Sequence, residues 1–317
     1  MSDPAVLEPS AGARSLQPYD RRRLARALSW VEAGDERAAE FRAAGPVERG
    51  YLIGVTGPMG AGKSTLTDRL ISVLRARGDL VGVLAVDPSS PVTEGALLGD
   101  RIRMASHTGD PGVFIRSMAT RGHLGGLAAA VPAAANVFAA FGFDWVVIET
   151  VGVGQAEVDI AKVADTTVVV LTPGWGDDVQ ASKAGLMEIA DVFVVNKADR
   201  PGAERTRREL QEALELGTAR DWRPPVELCS AETGTGVDAV WAAVARHREH
   251  LGRRVDRPAD LRLRALRACV RETAAQVAAD ALRGERFADL VAAVVAGRVE
   301  PNDAAKAILA QLGLVEA

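Results

Sequence analysis

Only two cysteines, Cys229 and Cys269, occur in the 317 residues, too few for a disulfide framework or a four-cysteine zinc site. Histidine is nearly as scarce: the four are His107, His123, His247 and His250, and no pair sits in an HExxH frame. His247 and His250 flank Arg248 and Glu249, so a solvated pair on a polar helix face is expected there rather than a metal site. No apolar run approaches the ~20 residues that a membrane span needs. Neither sign of charge dominates. The 38 Lys and Arg against 42 Asp and Glu leave a net charge of −4, so no global field calls for nucleic acid or an anionic membrane. The opening residues, MSDPAVLEPSAGARSLQP, hold no apolar segment and carry Asp3 and Glu8 ahead of their one arginine. Secretion and organelle import are disfavoured on that ground, and a cytoplasmic chain is expected.

What is present is the balance of a soluble globular protein, with 48% apolar and 25% charged residues. The length suits one large or two modest domains at ~150 residues each. The 31 glycines exceed the usual ~7% share and suggest loops where backbone approaches a ligand closely.

Residues 1–18 read as a flexible tail, and 19–50 as a helical extension in which Leu24, Leu28 and Val31 share a face. A second helix is expected around Asp35–Ala44, before Gly45-Pro46. The character changes at Tyr51. Short β-branched runs at 51–56, 80–86, 113–117, 145–150, 166–172, 192–196 and 226–230 are apolar nearly throughout, as strands buried on both faces are. Helical stretches separate most of them: Ser64–Arg77, Gly126–Ala140, Val179–Ile189, Glu204–Leu216 and Val237–His250, with a small helix at Glu157–Val163. The pattern predicts an α/β domain over 51–251 with a doubly wound, mostly parallel sheet. Residues 252–317 predict an Ala- and Leu-rich helical arm that must pack on the main domain or on a second copy of the chain. Its helices are expected at Leu261–Leu282, Phe287–Val295 and Pro301–Leu312, the last begun by the cap-type Asn302 and Asp303.

Three motifs carry the chemistry. Gly57-Pro58-Met59-Gly60-Ala61-Gly62-Lys63-Ser64 fits G-x-x-x-x-G-K-[ST], directly after a predicted strand and before a predicted helix. Glycines there let successive N–H groups turn inward on a phosphate, and the helix N-terminus adds its dipole. Lys63 would reach the β- and γ-phosphates, and the Ser64 hydroxyl would ligate Mg²⁺, with Thr65 in the same turn. Asn196-Lys197-Ala198-Asp199 closes the sixth strand, where Asp199 can accept from guanine N1–H and N2–H₂; adenine would leave that carboxylate unpaired. Ser230-Ala231, after the seventh strand, suits a backbone N–H reading the guanine O6. Asp87, Asp100 and Glu149, with Gly152 three residues beyond Glu149, supply acids for Mg²⁺ and an N–H to sense a γ-phosphate at one sheet edge. These features predict a P-loop NTPase that binds GTP or GDP with Mg²⁺.

The stretches GPMGAGKSTLTDRL, VDPSSPVTEGALLGDRIRM, FIRSMATRGHLGGL, VIETVGVGQAEVDIA, TPGWGDDVQASKAGLMEIAD and NKAD together resemble the MeaB/ArgK/MMAA group of P-loop GTPases. The resemblance covers residues 51–250 closely. It implies a homodimer that gates cofactor delivery to an adenosylcobalamin-dependent acyl-CoA mutase and protects or rescues that enzyme. The chain departs from the group's usual pattern at Met59, Glu94, Ala156 and Trp175. None of these is an expected phosphate or Mg²⁺ ligand.

Water activation is the thinnest part of the pattern. Val153 follows Gly152 where a Ras-like Gln would stand, and Gln155 is two residues further on. Slow intrinsic hydrolysis follows, with Asp87, Lys183 in the loop after the fifth strand, or a partner completing the site. Three rival readings are a nucleotide-dependent kinase of a transport protein, which N-K-x-D disfavours, a metal-insertion GTPase, which would need a His/Cys cluster, and a scaffold that binds nucleotide without turnover. Cys229 and Cys269 read instead as buried apolar side chains.

Overall fold

The computed structural model describes residues 17–33, 35–39, 41, 50–87, 105–107, 109–119, 127–150, 160–174, 180–216, 221–252, 270, 274 and 277–313. At Asp87 and Lys183 it describes the backbone alone. In chain order the helices are α1 (Pro18–Glu32), α2 (Lys63–Ala76), α3 (Leu127–Ala140), α4 (Gln180–Ile189), α5 (Ala203–Leu216), α6 (Val237–Gly252), α7 (Ala288–Val295) and α8 (Pro301–Gln311). The strands are β1 (Tyr51–Thr56), β2 (Val81–Asp87), β3 (Val113–Ala119), β4 (Trp145–Thr150), β5 (Thr166–Leu171), β6 (Val192–Val195) and β7 (Val226–Leu228).

All seven strands form one sheet of order β3-β2-β4-β1-β5-β6-β7, and every pairing is parallel. The period of two splits each strand between the faces. On β4, Trp145 and Val147 join the core under α2 and α6, while Val146 and Ile148 join the core under α1 and α3. On β5, Val168 and Val170 lie on the first face, whereas Val169 and Leu171 meet Leu186 of α4 and Leu210 of α5. Burial on both sides explains why the strands are apolar throughout.

The order places β1 between β4 and β5, and the chain crosses from one half of the sheet to the other there. Ligands bind such α/β sheets at the carboxyl ends of strands flanking this switch point. The loop after β1 and the ends of β4 and β6 therefore share one edge.

Three details differ from the sequence reading. The predicted small helix at Glu157–Val163 is, within the described residues, a single 3₁₀ turn at Ile160–Lys162. The second N-terminal helix begins as a 3₁₀ turn at Glu36–Ala38, capped by the Asp35 side chain accepting from the Arg37 N–H at 2.9 Å. Helix α8 starts from an extended Glu300 with Pro301 at its first position, so Asn302 and Asp303 lie inside the first turn and do not cap it. Most of the predicted Leu261–Leu282 helix lies outside the described residues. Helices α7 and α8 bury Phe287, Ala304 and Ile308, and Arg286 donates to the Gln311 carbonyl at 3.0 Å.

Candidate functional site

The loop after β1 begins and ends on glycines where any side chain would be strained. Gly57 has φ +137°, and a Cβ there would overlap the Val170 carbonyl of β5; Gly62 has φ +90°, and a Cβ there would overlap Asn196 Nδ2. These two positions hold the loop against β5 and the turn after β6. Lys63 opens α2 and is buried, its ammonium donating to the carbonyls of Gly57 at 2.6 Å and Pro58 at 3.0 Å. The loop's backbone thus holds a desolvated cation at the N-terminus of α2, where an anion is favoured twice over.

Ser64, in the next position, donates from Oγ to Glu149 Oε1 at 2.5 Å. Glu149 is buried in β4 beside β1, in register with Val55. A buried carboxylate beside a hydroxyl is a hard-oxygen donor pair of the kind Mg²⁺ takes while keeping several waters, so the residues present fit that ion. Thr65 lies exposed on the first turn of α2. Asp87 ends β2, its backbone in register with Ala119 of β3, at the same carboxyl edge. Asp100, Gly152 and Gln155 lie outside the described residues, and Lys183 lies on the first turn of α4, not in the loop expected after the fifth strand.

On the other side of β1, Asn196 is buried and bridges two elements. Its Nδ2 donates to the Ala61 carbonyl at 2.8 Å, and its Oδ1 accepts from the Ala231 N–H at 3.0 Å. Lys197 has φ +57°, the one non-glycine positive φ among the described residues. That backbone costs on the order of 1 kcal/mol. Lys197 Nζ donates to the Gly60 carbonyl at 2.7 Å, and the Ala198 N–H donates to the Cys229 carbonyl at 3.0 Å, which together hold the turn. Asp199 is exposed and accepts from Ser230 Oγ at 2.6 Å. That hydroxyl, the local backbone N–H and the neighbouring Arg200 and Lys197 charges keep its carboxyl below the usual range despite some desolvation. A cavity of about 560 Å³ opens beside this turn, with Gly60, Thr172, Lys197 and Arg200 among its lining.

The arrangement therefore gathers Gly57, Gly60, Ala61, Gly62, Lys63 and Ser64 with Glu149 on one side and Asn196, Lys197, Asp199, Ser230 and Ala231 on the other. One half can cradle phosphates; the other offers the Asp199 carboxylate to a base, whereas the Ser230 and Ala231 N–H groups, expected to face one, donate to the Thr235 carbonyl and to Asn196 Oδ1.

These features have a counterpart among known proteins. Residues 24–284 match the family model of the methylmalonyl-CoA mutase-associated GTPase MeaB. The chain belongs to the MeaB family. Among MeaB relatives, a Pyrococcus abyssi protein that bears a GTPase name is 49% identical over 92% of this chain and 93% of its own length. The GTPase ArgK of Escherichia coli is 38% identical, covering 73% of each chain. The mitochondrial methylmalonic aciduria type A homolog of the mouse is 38% identical over 70% of this chain and 54% of its own. A crystal structure of a LAO/AO transport system kinase superposes with a TM-score of 0.69 over 93% of this chain and 94% of that one, at 24% identity, a likeness of fold. As a member of the MeaB family this chain is a P-loop GTPase, and its relatives imply binding of a guanine nucleotide.

One sequence reading needs correction. His247 is not a solvated side chain: it is 3% exposed, its Nδ1 lies 2.8 Å from Thr166 Oγ1, and its ring packs 4.9 Å from Trp222. The i, i+3 polarity of α6 misleads because Trp222, from the chain leading into β7, covers the end of that helix and also meets His250 at 5.2 Å. No group of three metal-ligating side chains occurs among the described residues, and no helix among them is long and apolar enough to cross a membrane. Cys229 is buried as expected. The sequence reading missed Arg69, which contacts the carbonyls of Ala231 and Glu232 across more than 160 residues of chain. Nothing local in the sequence signals a contact of that span.

Proposed function

We propose that this GTPase is a chaperone of an adenosylcobalamin-dependent acyl-CoA mutase, gating cofactor loading and protecting or reactivating the enzyme. The family's association with methylmalonyl-CoA mutase supports the partner. The observation that carries the catalytic half is the pair of linked clusters at one sheet edge, Ser64–Glu149 for phosphate and Asp199–Ser230 for guanine.

In this reading the inward N–H groups of 57–62 and the Lys63 ammonium hold the β- and γ-phosphates and offset their charge in the transition state. Ser64 and Glu149, with Asp87 and Asp100, hold Mg²⁺. The ion when bound would supply positive charge to offset the charge that develops on the phosphate. Asp199 accepts from guanine N1–H and N2–H₂, the Ala231 segment faces O6, and Gly152 senses the γ-phosphate. Asp87 or Lys183 orients the attacking water only when the loops close, so turnover is slow alone. A mutase that binds one loop state better must change nucleotide affinity by the same factor.

The proposed organisation is a tail at 1–18, a helical extension at 19–50, the GTPase domain at 51–251 and a dimerisation arm at 252–317. Val270, Val277, Leu282 and Val295, four of the six exposed large apolar side chains among the described residues, all fall in 252–317 and support an arm that meets a second copy of the chain.

The test is phosphate release from GTP and ATP, with and without the mutase. A cognate mutase should raise GTP turnover about tenfold, roughly 1.4 kcal/mol off the barrier, and Lys183→Ala should lose that gain while keeping GTP affinity. Unchanged turnover with every adenosylcobalamin-dependent acyl-CoA mutase tried would sink the partner. Sedimentation of a chain ending at Arg254 should show a monomer; a dimer would remove the arm from assembly.

A further inference from the structure

We infer that Arg69 is a specificity-determining positioning residue: from the P-loop helix it sets the backbone that reads the nucleotide base. This rests on the guanine reading above and names a part of it that the nucleotide-binding motifs do not contain.

Arg69 lies on α2, on the second turn after Lys63, and is half-buried. Its Nε donates to the Ala231 carbonyl at 3.0 Å and its terminal nitrogen to the Glu232 carbonyl at 2.8 Å. Two successive carbonyls gripped by one planar fork fix the orientation of the peptides between them, which a point charge on a flexible stem cannot do. The peptide that offers its carbonyl at Ala231 follows the one whose N–H goes to Asn196 Oδ1. One residue earlier, Ser230 places its hydroxyl on Asp199. The Ser230 N–H donates to the Thr235 carbonyl at 2.8 Å, and the Gly234 N–H to the Ser230 carbonyl at 2.8 Å, so the turn is tight and moves as a unit.

A ring results. Asn196 ties the P-loop at Ala61 to the Ala231 N–H, and Arg69 ties the helix after the P-loop to the opposite side of the same residue. Asn196 and the Ser230–Asp199 bond hold the N–H side of the turn, and Arg69 adds the tie on its carbonyl side. With that tie the groups facing guanine keep one position relative to the phosphate cradle. Arg69 is a positioning residue that acts through Ser230 and Ala231, not through contact with base or phosphate.

The experiment measures GDP and ADP binding by calorimetry on the full chain, with Arg69→Met to keep the stem and remove the donors, and Arg69→Lys to restore one. The GDP:ADP preference should fall about tenfold in the Met variant, through GDP alone, with ADP binding unmoved, and recover in part in the Lys variant. A KM for GTP that rises in parallel would agree. A preference equal to wild type in the Met variant overturns the inference, as does an equal loss for both nucleotides, which would mark a structural role only. If Arg69→Met does not fold, Arg69→Leu, which also lacks a donor, provides the same comparison. A wild-type chain without guanine preference would instead overturn the guanine reading, a result visible before any variant is made.

Discussion

The Ser230 hydroxyl donates to Asp199 Oδ1 across 2.6 Å, joining the turn after β7 to the turn after β6. A carboxylate on an exposed turn would otherwise sample several rotamers. Held by Ser230, it presents a fixed acceptor edge, and pre-organised acceptors discriminate between bases because the wrong base leaves them unpaired.

Asp199→Asn should weaken GTP binding by roughly 30-fold or more, since charge-assisted hydrogen bonds are replaced by weaker ones. Xanthosine triphosphate, with a carbonyl in place of the N2 amino group, should gain on GTP in the variant. The Ser230 hydroxyl also holds the Asp199 carboxyl below its usual range. The charged form therefore persists as pH falls, and binding is lost only below the ordinary carboxylate range. Ser230→Ala should move that acid limit upward. Titration of GDP affinity between pH 3 and 6 checks both; equal affinity for GTP and ATP in the wild type would refute the guanine reading.

Glu149→Gln keeps the shape of a buried side chain but removes the charge beside Ser64. Hydrolysis should drop at least ~100-fold, with a higher Mg²⁺ requirement, given that phosphoryl transfer rests on positioning and charge. Lys63→Ala should abolish turnover and weaken triphosphate binding strongly while the far-UV circular dichroism stays native. Wild-type hydrolysis in either variant would remove its residue from the mechanism.

Arg75 and Asp110 form a buried, two-pronged ion pair, with nitrogen–oxygen distances of 2.9 and 3.0 Å. Burial pushes the Asp110 carboxyl up, but the Arg75 hydrogen bonds, the Gly112 N–H and the Arg75 and His107 charges outweigh it and hold it below its ordinary value. A depressed folded-state value means stability that is fully present above the unfolded carboxylate range and lost as pH falls through the folded value. Arg75→Met should cost about 1–3 kcal/mol by leaving the half-buried Asp110 carboxylate without its hydrogen-bond partner. Asp110→Asn should flatten the acid limb of urea-unfolding stability. A limb as steep as wild type would mean that other carboxylates carry it.

Burial raises the Cys229 thiol to about 11, so the reactive thiolate is rare at neutral pH. In a Cys269→Ser background, the native protein at pH 8 should leave Cys229 unlabelled by a thiol-reactive disulfide over an hour, and urea should expose one equivalent. Prompt labelling of the native chain would contradict the burial.

The alternation of apolar runs with helical stretches was enough to determine the sheet, its seven strands and their parallel sense, because strands buried on both faces leave a continuous apolar record in the chain. That the glycines, Lys63 and Ser64 follow one strand and the Asn196–Asp199 run closes another was legible too, since both motifs sit where a predicted strand ends. Strand order was beyond the sequence. β4 inserts between β1 and β2, and that insertion brings Glu149 to Ser64 across 85 residues. The burial of His247 under Trp222 and the grip of Arg69 on the Ala231 turn likewise join distant segments. Local periodicity records which face of an element is apolar, whereas the partner on that face, and the polar contacts made at its edges, are decided only when the elements pack.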